Sequence, residues 1–154
     1  MARGLDTLSH ALAVRLRNVA RHLDRMDRLE SGSGEWMENQ TPAELESASM
    51  QMTLRLFRTV AEPETYAMLA VLAERGTLPV SELQTLSGLD RLSMNERLND
   101  LIQVGLAGLE IDTNHVQVSE SGVALIGLIT DIKNQTTRRL TEYIAPVTTL
   151  TENK

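Results

Sequence analysis

The sequence predicts a mainly α-helical protein that carries one small β-hairpin. Apolar residues recur at steps of three and four near both ends of the 154-residue chain, which is the spacing of one helix face. Threonine, serine and proline stand where helices would begin. Only residues 105–119 alternate between apolar and polar side chains, as a hairpin does. Aromatic residues make up 3% of the chain, so aliphatic side chains must fill the core.

A long amphipathic helix is expected from the first residues to about Glu30. Because a narrow stripe of apolar residues does not stabilise an isolated helix, we expect this helix to pack on a second helix, from this chain or a partner. Its arginines are either a solvated face or a ridge that contacts phosphate, and a solvated face is the simpler interpretation. The apolar stripe comprises Leu5, Leu8, Leu12, Leu16, Val19, Leu23 and Met26, with Arg17, Arg21, Arg25 and Arg28 roughly opposite.

Residues 31–41 are rich in serine and glycine at their start and predict a flexible linker. Thr41, Pro42 and Glu44 then form a capping-box pattern, which opens a second helix that runs to about Val60. This helix should lie between two layers, because it is apolar on two sides. One side carries Leu45, Met52, Leu56 and Val60, and the other carries Met50, Leu54 and Phe57.

Three further helices and the hairpin follow. Pro63 starts a helix that ends at Gly76, and a short helix near residues 80–86 is closed by Gly88. After a tight turn, a helix with Met94, Leu98, Leu101 and Ile102 on one face precedes the hairpin. The last helix begins after Ser119 and is expected to end at Pro146.

Residues 56–132 resemble the winged helix-turn-helix of bacterial ArsR- and MarR-type regulators. The resemblance implies a mainly α fold, with a small β-hairpin wing and long N- and C-terminal dimerisation helices. It divides the chain into residues 1–60, 61–119 and 120–146. The matching positions are Phe57, Ala61, Pro63, Leu69, Leu72, Val80, Leu83, Gly88, Leu89, Leu98, Leu101, Gly105, Leu106, Val118 and Gly122.

The same resemblance implies a homodimer that regulates transcription by binding double-stranded operator DNA. The dimer interface would combine the apolar stripe of the first helix with Leu125, Leu128, Ile129, Ile132 and Leu140 of the last helix. The second helix of the motif would enter the major groove. The expected DNA-binding residues are Arg91, Ser93, Asn95, Arg97 and Asn99, with His115 in the wing and Arg17, Arg21 and Arg25 of the first helix.

Charge argues against this interpretation. From Glu62 to Gly122 there are three arginines and ten acidic residues, a balance of −7, and phosphate contacts supply most non-specific DNA affinity. The expected wing tip, residues 112–115, contains no arginine or lysine. The alternative is therefore a winged-helix scaffold that has lost DNA binding and uses this acidic face to bind another protein.

Other classes of function find little support in the sequence. There is no cysteine, the three histidines are scattered, and no phosphate-binding loop or nucleophile motif occurs. We therefore expect neither a metal, nor a cofactor, nor enzymatic activity. No stretch has the pattern of a signal peptide or a membrane span, which predicts a cytoplasmic protein. The seven methionines are expected in the core, with a small-molecule pocket as the alternative.

Overall fold

The computed structural model describes the backbone of residues 2–31 and 41–148, and the side chains of residues 3–19, 21 and 41–144. The predicted linker, residues 31–41, lies outside the described residues apart from its two ends. The elements in chain order are α1 (Ala2–Ser31), α2 (Pro42–Ala61), α3 (Pro63–Arg75), β1 (Thr77–Pro79), α4 (Val80–Ser87), α5 (Arg91–Gln103), β2 (Ala107–Glu110), β3 (His115–Val118) and α6 (Glu120–Thr148). None of the described helices is long and apolar enough to cross a membrane.

The helix boundaries follow local signals. At the start of α2, the Thr41 backbone N–H donates to the Glu44 carboxylate at 2.7 Å, and the Glu44 N–H donates to the Thr41 hydroxyl at 3.3 Å. This confirms the predicted capping box. Gly76 ends α3 at a φ of 82°, and Gly88 ends α4 at a φ of 66°. Both are left-handed conformations that glycine adopts without a Cβ clash.

Two elements differ from the expectation. The chain has a third strand, β1, which pairs antiparallel with β3, so the sheet order is β1-β3-β2 and Val116 lies between Leu78 and Leu109. In addition, α6 continues past Pro146 to Thr148. A proline removes one backbone hydrogen bond but does not forbid further helical residues. The predicted end at Pro146 is therefore wrong.

The core lies between the helix-turn-helix, the sheet and the first half of α6. Its fully buried side chains come from every one of these elements, which makes residues 63–125 one packed unit. They are Thr65, Met68, Leu69, Leu72, Leu83, Met94, Leu101, Leu106, Val116 and Leu125. Helix α1 lies along α6 and α2 and contributes Leu8 to this core. The long first helix thus packs on helices of its own chain.

This packing corrects part of the expected dimer interface. Leu8, Leu125 and Leu128 are buried against the chain's own core, so they are not available to a partner. Leu12, Leu16 and Ile129 are partly buried, whereas Leu5, Val19, Ile132 and Leu140 remain about half exposed. The side chains of Leu23 and Met26 lie outside the described residues. The periodicity located the apolar faces but did not reveal which of them the chain itself covers.

Among the described residues, α2 and α6 each have a surface that carries several exposed apolar side chains. On α2, Leu56 and Val60 are buried, but the opposite face with Met50, Leu54 and Phe57 is exposed, so within one chain the helix is covered on one side only. On α6, every residue from 131 to 144 is exposed. We call the first surface the α2 stripe and the second the free half of α6. The expectation that two layers sandwich α2 is not met within a single chain.

Candidate nucleic-acid interface

Helix α5 is the second helix of the helix-turn-helix, and Asp90 caps its beginning. One carboxylate oxygen of Asp90 accepts from the N–H groups of Leu92 (2.9 Å) and Ser93 (3.1 Å), and the other accepts from the Ser93 hydroxyl at 2.6 Å. These hydrogen bonds, first of all that from the Ser93 hydroxyl, lower the pKa of Asp90 below its ordinary value. Its negative charge is therefore held at the positive end of the helix dipole.

Ser93, which was expected to contact DNA, has a structural role at the beginning of α5. Its hydroxyl proton is given to Asp90, and its side chain is only partly exposed. The sequence contained a signal for the cap, because aspartate is among the residues preferred at the beginning of a helix.

Three of the other polar residues of α5 form one exposed ridge. Met94, Leu98 and Leu101 bury one face of the helix against the core. Arg91, Asn95 and Asn99 follow one another at steps of four on another face, and all three are exposed. Asparagine can bond both polar atoms of an adenine edge, and arginine can bond guanine or phosphate. We call these three side chains the reading ridge.

Arg97 lies apart from the reading ridge and faces α3. Its Nε atom lies 3.5 Å from a carboxylate oxygen of Glu64, and its side chain is 31% exposed. Arg97 was expected among the DNA-binding residues; in the structure its charge is opposed by a carboxylate, and its contact with DNA stays a prediction. Sequence reasoning counted Glu64 among the acidic residues of the module but had no means of pairing it with Arg97.

The acids of α5 face in different directions. Asp90 is the helix cap, and Asp100 borders an open cavity of about 530 Å3 together with Arg55 and Arg58 of α2. Glu96 is exposed, and it neither caps the helix nor lines this cavity. Of these three acids, which are among the ten counted from Glu62 to Gly122, Asp90 lies at a helix terminus and Asp100 lines a cavity with two arginines and Glu62. Sequence reasoning missed Arg55 and Arg58, whose spacing of three from each other does place them on one side of α2.

The hairpin turn, residues 111–114, carries no basic residue. His115 stands at the start of β3 and is partly buried, and its Nδ1 atom lies 2.7 Å from the Thr113 carbonyl oxygen. Since a carbonyl can only accept, Nδ1 donates and the ring is tied back to the turn. The apolar Ile111 is the most exposed large side chain there, at 85%. His115 is therefore not at the tip, where the sequence had suggested a minor-groove contact.

The arginines of α1 divide into two groups. Arg17 and Arg21 are exposed, and the side chain of Arg25 lies outside the described residues. Arg15, which the sequence reasoning did not single out, reaches the end of α5 and donates from Nη2 to the Gln103 carbonyl oxygen. The contact between α1 and the second helix of the motif is thus made by Arg15. In the described part of the chain, no group of three or more metal-binding side chains comes together.

No protein-family model matches the sequence, and a search of curated proteins finds no match. The solved structures do contain similar folds. One is the homodimeric winged helix-turn-helix DNA-binding domain of a possible ArsR-family regulator from Mycobacterium bovis, at 18% identity and a TM-score of 0.57, covering 66% of this chain and 94% of that one.

Two further structures are similar at lower scores. The transcriptional repressor BigR from Xylella fastidiosa has 21% identity and a TM-score of 0.47, covering 60% of this chain and 96% of its own. A MarR family regulator from Silicibacter pomeroyi has 21% identity and a TM-score of 0.45, covering 78% and 86%. Together with the order of helices and strands, the Mycobacterium domain confirms the fold that the sequence suggested: the chain has a winged helix-turn-helix fold.

Proposed function

We propose that the chain is a homodimeric transcriptional regulator whose helix α5 reads an operator half-site. The observation that carries this proposal is the reading ridge. Its residues Arg91, Asn95 and Asn99 lie one turn apart on the second helix of a helix-turn-helix, and all three side chains are exposed. These side chains suit the edges of guanine and adenine in the major groove. The cap at Asp90 fixes the end of the helix that would enter the groove first.

The negative charge of the module argues less strongly against DNA binding in the structure than it does in the sequence, but it still argues against it. Asp90 caps α5, and Asp100 lines a cavity with two arginines and Glu62, while Glu96 is exposed on α5. Few basic residues of the module are free to contact phosphate, since Arg97 is paired with Glu64. We therefore expect modest non-specific affinity and recognition that depends on base contacts. Arg17, Arg21 and Arg25 of α1 could add positive charge from either protomer of a dimer.

We place the dimer contact on the two open apolar surfaces, the α2 stripe and the free half of α6. Isolated helical segments of such length are marginal in water, so a helix that is exposed on every side over residues 131–144 needs a partner. Ile132, Leu140 and Ile144 are each at least half exposed there. A second copy would cover these surfaces and set two α5 helices about 34 Å apart, one turn of DNA.

The test begins with sheared genomic DNA from the source organism, because the operator is unknown. The protein is used at low salt to capture fragments, and the enriched sequences are then measured in gel-shift titrations. Asn99→Ala should weaken binding to the best fragment by about 5- to 150-fold, as expected for the loss of one bidentate base contact. Asn18→Ala, the same change at an exposed position of α1, should have no effect.

Failure to enrich any sequence would reject the proposal. Enrichment with equal affinities for the Asn99→Ala and Asn18→Ala variants would show that DNA is bound elsewhere on the protein. The outcomes therefore distinguish a protein that recognises DNA through α5 from one that binds DNA through another surface and from one that does not recognise DNA.

A protein-binding scaffold is the second candidate, and one observation favours it. Leu92 is 70% exposed on α5, and Ile111 is exposed at the hairpin turn, in a module rich in acidic residues. Exposed apolar side chains among acids suit a partner that is both apolar and basic. A pull-down that enriches one stoichiometric protein and no DNA, and that fails with Leu92→Ser, would support this candidate over the regulator.

A further inference from the structure

One large apolar side chain is exposed on α5. Leu92, the second residue of the helix, is 70% exposed. The other large apolar residues of the helix are buried or half-buried, and they are Met94, Leu98, Leu101 and Ile102. A single exposed leucine is common on protein surfaces, so the position of Leu92 decides what it can contact.

Leu92 lies on the same side of α5 as part of the reading ridge. Asn95 and Glu96 follow it by one helical turn, and Asn99 follows it by two turns. At about 100° per residue, the seven residues from Leu92 to Asn99 return to within about 20° of the same direction. These three neighbours are polar and exposed. Leu92 is therefore an isolated apolar side chain among polar side chains that suit base edges.

The cap of α5 fixes the backbone that carries this side chain. One carboxylate oxygen of Asp90 accepts from the N–H groups of Leu92 at 2.9 Å and Ser93 at 3.1 Å. The other oxygen accepts from the Ser93 hydroxyl at 2.6 Å. When a helix-turn-helix docks on DNA, the first residues of its second helix reach the base edges. The hydrogen bonds of the cap thus hold Leu92 at the end of α5 that would meet the bases.

The major groove of DNA presents one methyl group on its base edges, the 5-methyl group of thymine. The side chain of leucine neither donates nor accepts a hydrogen bond, so in the groove it gains affinity only by covering apolar surface. A protein partner would instead bring an apolar patch, and α5 has only Leu92 as an exposed large apolar residue to meet it. A single methyl group is the better match for a single leucine.

We propose that Leu92 contacts the 5-methyl group of a thymine in each operator half-site, and that this contact distinguishes thymine from cytosine at that position. The proposal rests on the proposed function, because it requires α5 to lie in the major groove. It adds a thymine to the adenine and guanine that suit the reading ridge. Burial of one methyl group corresponds to about a fourfold change in affinity, and burial of two, one in each half-site, to about 15-fold.

Replacement of thymine by uracil tests the proposal, because it removes the methyl group and keeps every hydrogen-bonding atom of the base. The best captured fragment is amplified with dUTP in place of dTTP, and gel-shift titrations at one salt concentration give the affinities for both forms. The wild type should bind the uracil form about 15-fold more weakly. Leu92→Ala should bind the two forms equally, with an affinity close to that of the wild type for uracil. Single thymine-to-uracil changes then locate the contacted bases.

Two variants serve as controls. Leu92→Met keeps an apolar side chain of similar volume and should retain most of the preference for thymine. Leu86→Ala removes a leucine that is 43% exposed on α4, and it should keep the full preference of the wild type. Each preference is a ratio of two affinities measured with one protein, so a loss of folded protein in a variant does not change it.

The outcomes separate this contact from the proposed function. A wild type that binds the thymine and uracil forms equally overturns the contact, while the loss of affinity in Asn99→Ala still supports reading by α5. A Leu92→Ala protein that prefers thymine as strongly as the wild type assigns the methyl contact to another residue and also overturns it. If that variant binds DNA normally but loses a stoichiometric protein partner, Leu92 belongs to the scaffold instead. Failure to capture any fragment rejects the function and the contact together.

Discussion

The dimer contact can be tested through Phe57, the aromatic residue of the α2 stripe. A phenylalanine can bury about 150–250 Å2, and 46% of Phe57 is still exposed, so a partner could cover about 90 Å2 more. At about 25 cal/mol per Å2, this area contributes about 2 kcal/mol. In a two-fold symmetric dimer the residue occurs twice, which gives about 4–5 kcal/mol. Phe57→Ala should therefore raise the dimer dissociation constant by about a thousandfold.

Sedimentation velocity over a range of concentrations is the appropriate assay. The wild type should sediment as a dimer at micromolar concentration and Phe57→Ala as a monomer, with an unchanged circular dichroism spectrum. Ile111→Ala, at the hairpin turn, removes a comparable exposed apolar side chain outside both surfaces and should stay dimeric. A wild type that remains monomeric, or a Phe57→Ala protein that dimerises like the wild type, would refute the reasoning.

Three further predictions concern α5. Arg91→Ala should weaken DNA binding more than Arg97→Ala in gel-shift titrations, because Arg91 is exposed whereas Arg97 is paired with Glu64; the reverse order would mean that the ion pair opens on DNA. The folded-state pKa of Asp90 is lowered, so its contribution to stability is present above the ordinary pKa of about 4 and disappears as pH falls through the lower folded value. Asp90→Asn keeps a capping side chain but cannot titrate, so its melting temperature should fall less than that of the wild type over this acidic range; equal losses would assign the effect to other carboxylates. Leu101→Ala should reduce the free energy of unfolding by about 2–5 kcal/mol in urea titrations, since Leu101 is fully buried, and a loss below about 1 kcal/mol would contradict the packing described.

Local chemistry made much of the fold predictable. The capping box at Thr41, the proline at the start of α3 and the glycines at 76 and 88 act on their own neighbours in the chain, so they mark element ends wherever they occur. The spacing of apolar residues gave the helices and the hairpin. Strand β1 was not predicted, because three residues are too few to show a periodic pattern of apolar side chains. It forms by pairing with β3, which lies almost forty residues later in the chain.

The candidate site was predictable only in part. Periodicity placed Arg91, Asn95 and Asn99 on one helix, and the structure finds all three exposed. It could not show that Glu64 opposes Arg97, because that contact joins two helices. The same holds for the arginines of α2 near Asp100 and for Arg15 at the end of α5. Tertiary contacts of this kind decide which charges are free, and a count of acids and bases along the sequence does not contain them.

The apolar seam of α1 illustrates the same limit. Leu8 was assigned to a dimer interface because its helix needed a partner, and that partner is α6 of the same chain. Helix α1 does pack on another helix, as the sequence predicted, but the sequence did not identify that helix. The open surfaces proved to be the α2 stripe and the free half of α6 instead.

Footprinting of the protein on its best captured DNA fragment tests the central claim most directly. If α5 reads an operator as one half of a symmetric dimer, two protected half-sites should appear with centres about one helical turn apart, and the Asn95→Ala variant should lose both together. Uniform protection along the fragment, or none at low salt, would contradict the claim that this helix recognises DNA.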